Sequence, residues 1–297
     1  MQEKLQIGWI GTGVMGGPMA GHLLDAGHAL CVNTRTRSRA DALLARGATW
    51  ADTPAAAADD ADVVVSIVGF PSDVEAVHLG DDGTLAAPRP PRIIVDMTTS
   101  APSLAVRIHA AAAARGVGSV DAPVSGGDVG ARNATLSIMV GGDHADVRAA
   151  QPVFERLGSR IVHQGGPGAG QHTKLVNQIL IASTMVGVCE GLVYAERAGL
   201  DPTRVIESVG AGAAGSWSIN ELGPRIVAGD MEPGFFIEHF LKDLRIALDE
   251  AAQLGVAVPG LALARQLYEA ARAQGLGHRG TQALAVVVAQ LAGAPPS

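Results

Sequence analysis

Aromatic residues are scarce in this chain, at 3 % of 297, so its core must be aliphatic. Charge is thin as well: 17 % of residues are charged, while hydrophobic residues reach 47 %. A chain of that balance folds rather than staying disordered, and its length suffices for two domains with cores of their own. The net charge is −7 and no basic run appears, which excludes nucleic acid as an expected partner. Two cysteines, Cys31 and Cys189, cannot build a disulfide framework. No charged segment followed by an apolar one precedes the first strand, so no signal peptide is expected and the cytoplasm is the expected location. Leu175 to Ala195 is apolar, but Asn177, Gln178 and Glu190 interrupt it; this predicts a helix buried within the protein, not a membrane span. The histidines show no metal-ligand spacing, so no metal is expected.

What is present begins with glycine. Leu5 to Ile10 alternates like a strand about to be buried, then runs into Gly11-Thr12-Gly13-Val14-Met15-Gly16, a G-x-G-x-x-G turn, and Pro18 to Leu24 follows with helical spacing. A strand, a glycine turn and a helix in that order suit a dinucleotide pyrophosphate. Gly11 permits the turn, Gly13 lets the backbone approach the phosphates, and Gly16 lets the helix pack close. The helix N-terminus offers free N–H groups and a partial positive charge to the anion. Gly11 to Gly16, with Thr12, Val14 and Met15 between the glycines, are the expected cofactor contacts here.

Strand and helix patterns then alternate. Ala29 to Asn33, Asp62 to Val68, Arg92 to Asp96, Gly118 to Ala122 and Leu136 to Gly142 read as strands, the last closing this half. Ser38 to Ala45, Ser72 to His78 and Ser103 to Arg115 read as helices, the third stopped by Gly116. That alternation predicts a mostly parallel, doubly wound α/β sheet of Rossmann type. After Gly165 to Gly170 the strand patterns vanish. Gln171 to Ala198 predicts one helix of roughly 40 Å at 1.5 Å per residue. Pro202 to Val209, Trp217 to Ala228, Leu241 to Leu254, Leu261 to Gln274 and Thr281 to Leu291 predict further helices. The expected organisation is a cofactor domain over residues 1–165 and an all-α domain over 166–297, joined by the long helix. The tail Gly293 to Ser297 is expected to fray.

The second strand ends about 20 residues past the glycines, where a carboxylate would grip an adenosine ribose 2′-hydroxyl. Asn33-Thr34-Arg35-Thr36-Arg37-Ser38-Arg39 stands there instead, without a carboxylate. A guanidinium attracts a 2′-phosphate and can bond it twice, and hydroxyls of Thr34 and Thr36 add donors. The segment predicts NADP over NAD, with Arg35 as the main reader.

Two further segments carry chemistry. In Asp121-Ala122-Pro123-Val124-Ser125-Gly126-Gly127 a strand enters a glycine turn; the Ser125 hydroxyl and the N–H groups of Gly126 and Gly127 suit a carboxylate. An ordinary turn is the competing reading. Gly168-Ala169-Gly170-Gln171-His172-Thr173-Lys174-Leu175-Val176-Asn177-Gln178 opens the long helix, and Lys174, Asn177 and Gln178 share one of its faces. A lysine beside cofactor and substrate can give or take a proton, and burial moves a lysine toward the working pH range. A solvated first-turn lysine is the bland alternative. Trp217, Phe235, Phe236 and Phe240 could wall a pocket or pack helices. Lys242-Asp243 reads as the start of a helix, where Lys242 could reach a phosphate or a substrate carboxylate.

These blocks, with Lys242-Asp243-Leu244, occur in the order of the four signature blocks of the β-hydroxyacid dehydrogenase family, which the chain resembles over nearly its whole length. That family includes 3-hydroxyisobutyrate dehydrogenase, tartronate semialdehyde reductase and glyoxylate/succinic semialdehyde reductases. The resemblance implies an NADP-dependent oxidoreductase, with NAD possible, that interconverts a small hydroxy acid and its semialdehyde or oxo acid. By the same resemblance Lys174 is the acid/base and Ser125, Gly126 and Gly127 hold the substrate carboxylate. Asn177 orients the substrate, although some members place that amide one residue later, where this chain has Gln178. Cofactor contacts fall on Val68, Gly69, Thr99 and Lys242; many members have Leu-Pro where this chain has Val68-Gly69-Phe70-Pro71. Members form dimers or tetramers through the long helix. Rival readings are an imine reductase, disfavoured by Lys174; a phosphogluconate-type dehydrogenase, whose longer chain and basic cluster are absent; and a non-catalytic NADP-binding module.

Overall fold

The computed structural model describes residues 4–294; the end of the expected frayed tail, 295–297, lies outside the described residues. The chain divides into two compact units, Met1–Lys174 and Leu175–Ser297. The first unit runs β1 (Gln6–Ile10), α1 (Gly16–Asp25), β2 (Ala29–Asn33), α2 (Asp41–Leu44), β3 (Thr49–Trp50), α3 (Pro54–Ala58), β4 (Val63–Ser66), α4 (Pro71–Leu79), β5 (Ile93–Asp96) and α5 (Pro102–Ala113). It continues through β6 (Gly118–Asp121), β7 (Val124–Ser125), α6 (Gly127–Asn133), β8 (Leu136–Gly142), α7 (His144–Phe154) and β9 (Gly158–Gly165) into α8 (Ala169–Arg197), which crosses the division.

Local chemistry accounts for the helix starts. Thr53 accepts the Ala56 N–H at 3.0 Å and Pro54 opens α3. Asp73 accepts the Phe70 N–H at 3.1 Å and Pro71 opens α4. Proline costs nothing there, because a first-turn N–H has no helical partner. Positive φ at Gly116 lets the chain leave α5 for β6.

The sheet order is β3-β2-β1-β4-β5-β6-β8-β7, with β9 on β8. Strands β3 to β6 pair in parallel, and β8 runs antiparallel to β6 and β7. The sheet does not end at β8 as expected: α7 returns the chain so that β9 pairs in parallel with β8. Burial on both faces explains the Val63-Val64-Val65 and Ile93-Ile94-Val95 runs. Helices pack Met19, Leu23, Val147 and Phe154 against the sheet around buried Trp9. Ile10, Ser66, Asp96 and Asp121 are in register across the parallel strands. The loops that follow them therefore leave from one edge, where ligands bind in sheets of this kind.

The second unit is helical: the rest of α8, then α9 (Pro202–Gly210), α10 (Gly223–Val227), α11 (Ile237–Gln253), α12 (Pro259–Ala273) and α13 (Leu284–Leu291). Its strand pairing among the described residues is one bridge between Phe236 and Gly280. The helical unit departs from expectation at three places. Trp217 to Ala228 is not one α-helix: a π-helical turn at Ser218–Leu222 precedes α10, because Pro224 has no N–H to carry the α ladder through. Helix α11 starts at Ile237, so Lys242 sits in its second turn rather than at its start. Helix α8, by length and composition able to cross a membrane, is not buried all round. Ala182, Met185, Cys189 and Leu192 are buried on it, whereas Val176, Leu180 and Tyr194 are exposed. A 3.6-residue period lets one unit cover only one stripe.

Candidate active site

The glycine turn separates two uses of glycine. A Cβ on Gly11 would collide with the Ile67 carbonyl, and Gly11 has φ +97°. A Cβ on Gly16 would collide with the Gly11 carbonyl. At Gly13 a Cβ would meet no atom within 4 Å. The fold thus requires Gly11 and Gly16 and leaves the backbone at Gly13 open. Beside it the Thr12 hydroxyl is buried and has no partner. Open backbone, an orphaned hydroxyl and the start of α1 fit a pyrophosphate. Val14 is exposed and Met15 half-buried on the same turn.

The segment after β2, expected to read the ribose, has two features that the sequence alone does not show. Asn33 is buried and its Nδ2 donates to the Ala51 carbonyl at 2.9 Å, so its side chain secures β2 rather than facing a ligand. The segment itself has no carboxylate, but one reaches it from elsewhere in the chain. Arg35, its side chain 82 % exposed, pairs at 3.2 Å with Asp73 in the first turn of α4. Thr34 is half-buried and Thr36 exposed beside it. Arg37 is turned away over the Trp50 ring at 5.1 Å.

Further along the edge, buried polar groups form a chain. The Asp96 carboxylate accepts from Ser66 Oγ at 2.8 Å and from the Thr98 N–H at 3.2 Å. Ser66 also bonds His78 Nε2 at 2.9 Å, and His78 Nδ1 bonds Thr84. Burial pushes Asp96 up to about 6 and His78 down to about 3, so His78 is neutral at physiological pH. Asp121 accepts the Gly168 and Gln171 N–H groups at 2.8 Å each, which fixes the start of α8. Burial pushes Asp121 up to about 6 against the opposing pull of those bonds. Gly170 is required there: its Cβ would collide with the carbonyls of Met139 and Asp121.

Gln171 is fully buried and joins two segments. Its Nε2 donates to the Thr98 carbonyl at 2.7 Å and its Oε1 accepts the Ser100 N–H at 2.9 Å. The loop carrying half-buried Thr99 is thereby bolted to the helix turn that precedes Lys174, itself 7 % exposed. Val68, half-buried with Gly69, donates its N–H to Thr98 Oγ1 at 2.9 Å and ties in the loop after β4. Gln171→Met keeps the volume and removes both bonds. An unpaired buried group costs roughly 1–3 kcal/mol, so a lower melting temperature and faster amide exchange at Ser100 are expected. Wild-type exchange at Ser100 would contradict this role.

At the second glycine turn Gly126 has φ +131° and Gly127 φ +61°, and Ser125 pairs with Ser137 across β7 and β8. Gly126 is exposed, and Ser125 and Gly127 are half-buried. The turn therefore presents a hydroxyl and backbone N–H groups at the surface.

Within the second unit a buried chain runs through amides to a charge pair. Asn177 Nδ2 donates to Gln178 Oε1 at 2.7 Å, and Gln178 Nε2 donates to Asp243 at 2.6 Å. Lys242 pairs with Asp243 at 3.0 Å, both buried. Gln178 spends both ends of its amide in the fold, whereas Asn177 is half-buried. Trp217 is 60 % and Phe235 38 % exposed. Phe240 is not a wall but core, packed edge-on to Tyr268 at 5.0 Å and Phe235 at 5.8 Å. Among the described residues no group of three His, Cys, Asp or Glu side chains is placed to hold a metal ion.

The sequence reading missed the roles of Asp73, Asp96 and Gln171. Asp73 was detectable only as a first-turn acceptor after Phe70-Pro71-Ser72, and Gln171 only as part of its motif.

Comparison with known proteins identifies the family. Residues 6–166 match the family model described as the NAD binding domain of 6-phosphogluconate dehydrogenase. Residues 168–288 match the one described as NAD-binding of NADP-dependent 3-hydroxyisobutyrate dehydrogenase. A probable mitochondrial 3-hydroxyisobutyrate dehydrogenase-like protein from Arabidopsis thaliana is 50 % identical, covering 97 % of this chain and 86 % of its own. An uncharacterized oxidoreductase from Bacillus subtilis is 48 % identical, covering 95 % and 98 %. The solved structure of Mycobacterium tuberculosis 3-hydroxyisobutyrate dehydrogenase with L-serine superposes with a TM-score of 0.87 at 30 % identity, covering 97 % and 99 %. The chain belongs to the β-hydroxyacid dehydrogenase family and is an NAD(P)-dependent oxidoreductase.

Proposed function

We propose that this member of the β-hydroxyacid dehydrogenase family interconverts a small 3-hydroxy acid and its semialdehyde or oxo acid, prefers NADP, and uses Lys174 to move the proton. The observation that carries the reading is the placement of Lys174. It is a buried amine one turn beyond Gln171, which is bonded to the loop carrying Thr99.

The nicotinamide, when bound, supplies or accepts the hydride. The remaining work falls to the chain. The Ser125 hydroxyl and the N–H groups of Gly126 and Gly127 hold the substrate carboxylate, which fixes the reacting carbon at a set distance. In reduction, Lys174 as ammonium gives a proton to the carbonyl oxygen as negative charge develops there. In oxidation, the neutral amine takes that proton from the hydroxyl. Asn177, one turn along α8, holds the same oxygen in line. Gln178 supports it from the buried chain to Asp243. Gly11 to Gly16, Thr34, Arg35, Thr36, Val68, Gly69, Thr99 and Lys242 are assigned to the cofactor, and Trp217 and Phe235 to the substrate wall. The exposed apolar face of α8 at Val176, Leu180 and Tyr194 supports a homodimer or homotetramer.

The test is initial rates with NADPH and with NADH on glyoxylate and on tartronate, succinic and methylmalonate semialdehydes. L-serine and 3-hydroxyisobutyrate are assayed in the reverse direction. Turnover favouring NADPH is expected on at least one pair. Clear NADPH binding with no turnover on the panel would contradict the reading.

A further inference from the structure

A fixed carboxylate at the start of α4, Asp73, stands beside the arginine-bearing segment that follows β2. Arg35 follows β2 and Asp73 follows β4, the two strands that flank β1 and its glycine turn. Both therefore leave the sheet edge on either side of the turn. Asp73 is held at both oxygens: Oδ2 accepts the Phe70 N–H at 3.1 Å, and Oδ1 faces the Arg35 guanidinium at 3.2 Å. Its side chain is 23 % exposed, so it is reachable by a ligand yet anchored by the helix it caps. Arg35, by contrast, is mostly in solvent and free to turn from one anion to another. Arg37 lies over Trp50, which leaves Arg35 as the arginine that faces this carboxylate.

We propose that Asp73 is a specificity-determining residue for the cofactor, opposing the 2′-phosphate of NADP and accepting the ribose 2′-hydroxyl of NAD. This rests on the reading of Arg35 as the 2′-phosphate partner. A phosphate monoester carries about −1.5 to −2 charges near neutral pH. To bind it, Arg35 must turn its fork from the carboxylate to the phosphate, which is then left beside an anchored negative charge. A 2′-hydroxyl brings no charge and can donate to that carboxylate, the bond a residue at the end of β2 makes in NAD-binding folds. The pair thus tempers the preference for NADP and keeps NAD usable.

The experiment is direct binding of NADP⁺, NAD⁺, 2′,5′-ADP and 5′-AMP to wild type, Asp73→Asn and Arg35→Ala. Asn still accepts the Phe70 N–H, so the α4 cap is kept. Asp73→Asn is expected to tighten NADP⁺ and 2′,5′-ADP about fivefold and weaken NAD⁺ by a similar factor. Those opposite shifts separate specificity from a structural role, which would move both cofactors together. Shifts in the same direction, or an unchanged NADP⁺ to NAD⁺ ratio, would overturn the proposal. Arg35→Ala is expected to weaken 2′,5′-ADP and spare 5′-AMP. If it spares both, the reading of Arg35 fails first, and the role of Asp73 with it. If it behaves as expected while Asp73→Asn changes nothing, only the role of Asp73 fails.

Discussion

Lys174→Ala is expected to lower kcat by about 10²–10⁴-fold while leaving the affinity for NADPH almost unchanged. The start of α8 is held by Asp121, Gln171 and the close approach at Gly170, none of which involves the lysine side chain. Removing the amine leaves those bonds in place, so the loss is expected in proton transfer to the substrate oxygen. Lys174→Arg sharpens the test, since arginine keeps the charge but does not release a proton in this pH range. It is expected to fail nearly as badly as alanine. Stopped-flow single turnovers and NADPH fluorescence titrations read the two quantities separately. Equal losses in turnover and cofactor affinity would make Lys174 structural.

The second large effect is expected at Gly13. Gly13→Val should leave the protein folded, because no atom lies within 4 Å of the position a Cβ would take. It should nevertheless weaken both NADPH and NADH by about 10²-fold, the loss of two charge-assisted hydrogen bonds at roughly 1.5 kcal/mol each. Gly11→Ala makes the contrast. Its φ of +97° and the Ile67 carbonyl in its way make it a folding lesion first. Thermal melts beside cofactor titrations separate the two. A Gly13→Val protein that binds cofactor normally would remove the pyrophosphate from this turn.

Much of the fold was legible because burial leaves marks on sequence. Strands β4 and β5 are β-branched runs, and α8 is a long apolar stretch without proline. What stayed hidden was short or polar. Strands β3 and β7 have two residues each, too few for any period. Strand β9 is Gly-Ser-Arg-Ile-Val-His-Gln-Gly, an outer strand with little burial to write an alternation. Helix α7 carries Pro152 inside it, which masks its pattern. The site divides the same way. The glycine turns and Lys174 stand in contiguous motifs and could be read directly. Arg35 with Asp73, and Gln171 with Thr98 and Ser100, are 38, 73 and 71 residues apart, so no local pattern pairs them. The aromatic residues show the converse: Phe240 has the composition of a pocket wall, but its surroundings in α11 and α12 make it core.

In the proposed reaction hydride passes from a nicotinamide to the carbonyl carbon of a small oxo acid, and Lys174 gives a proton to its oxygen. The most direct test is a reaction with NADPH doubly deuterated at C4 and the best semialdehyde of the panel, with the product analysed by mass spectrometry and NMR. One deuterium is expected on the carbinol carbon of every product molecule, at a rate that collapses in Lys174→Ala. Product without deuterium at that carbon, or equal rates with and without the lysine, would contradict this reaction.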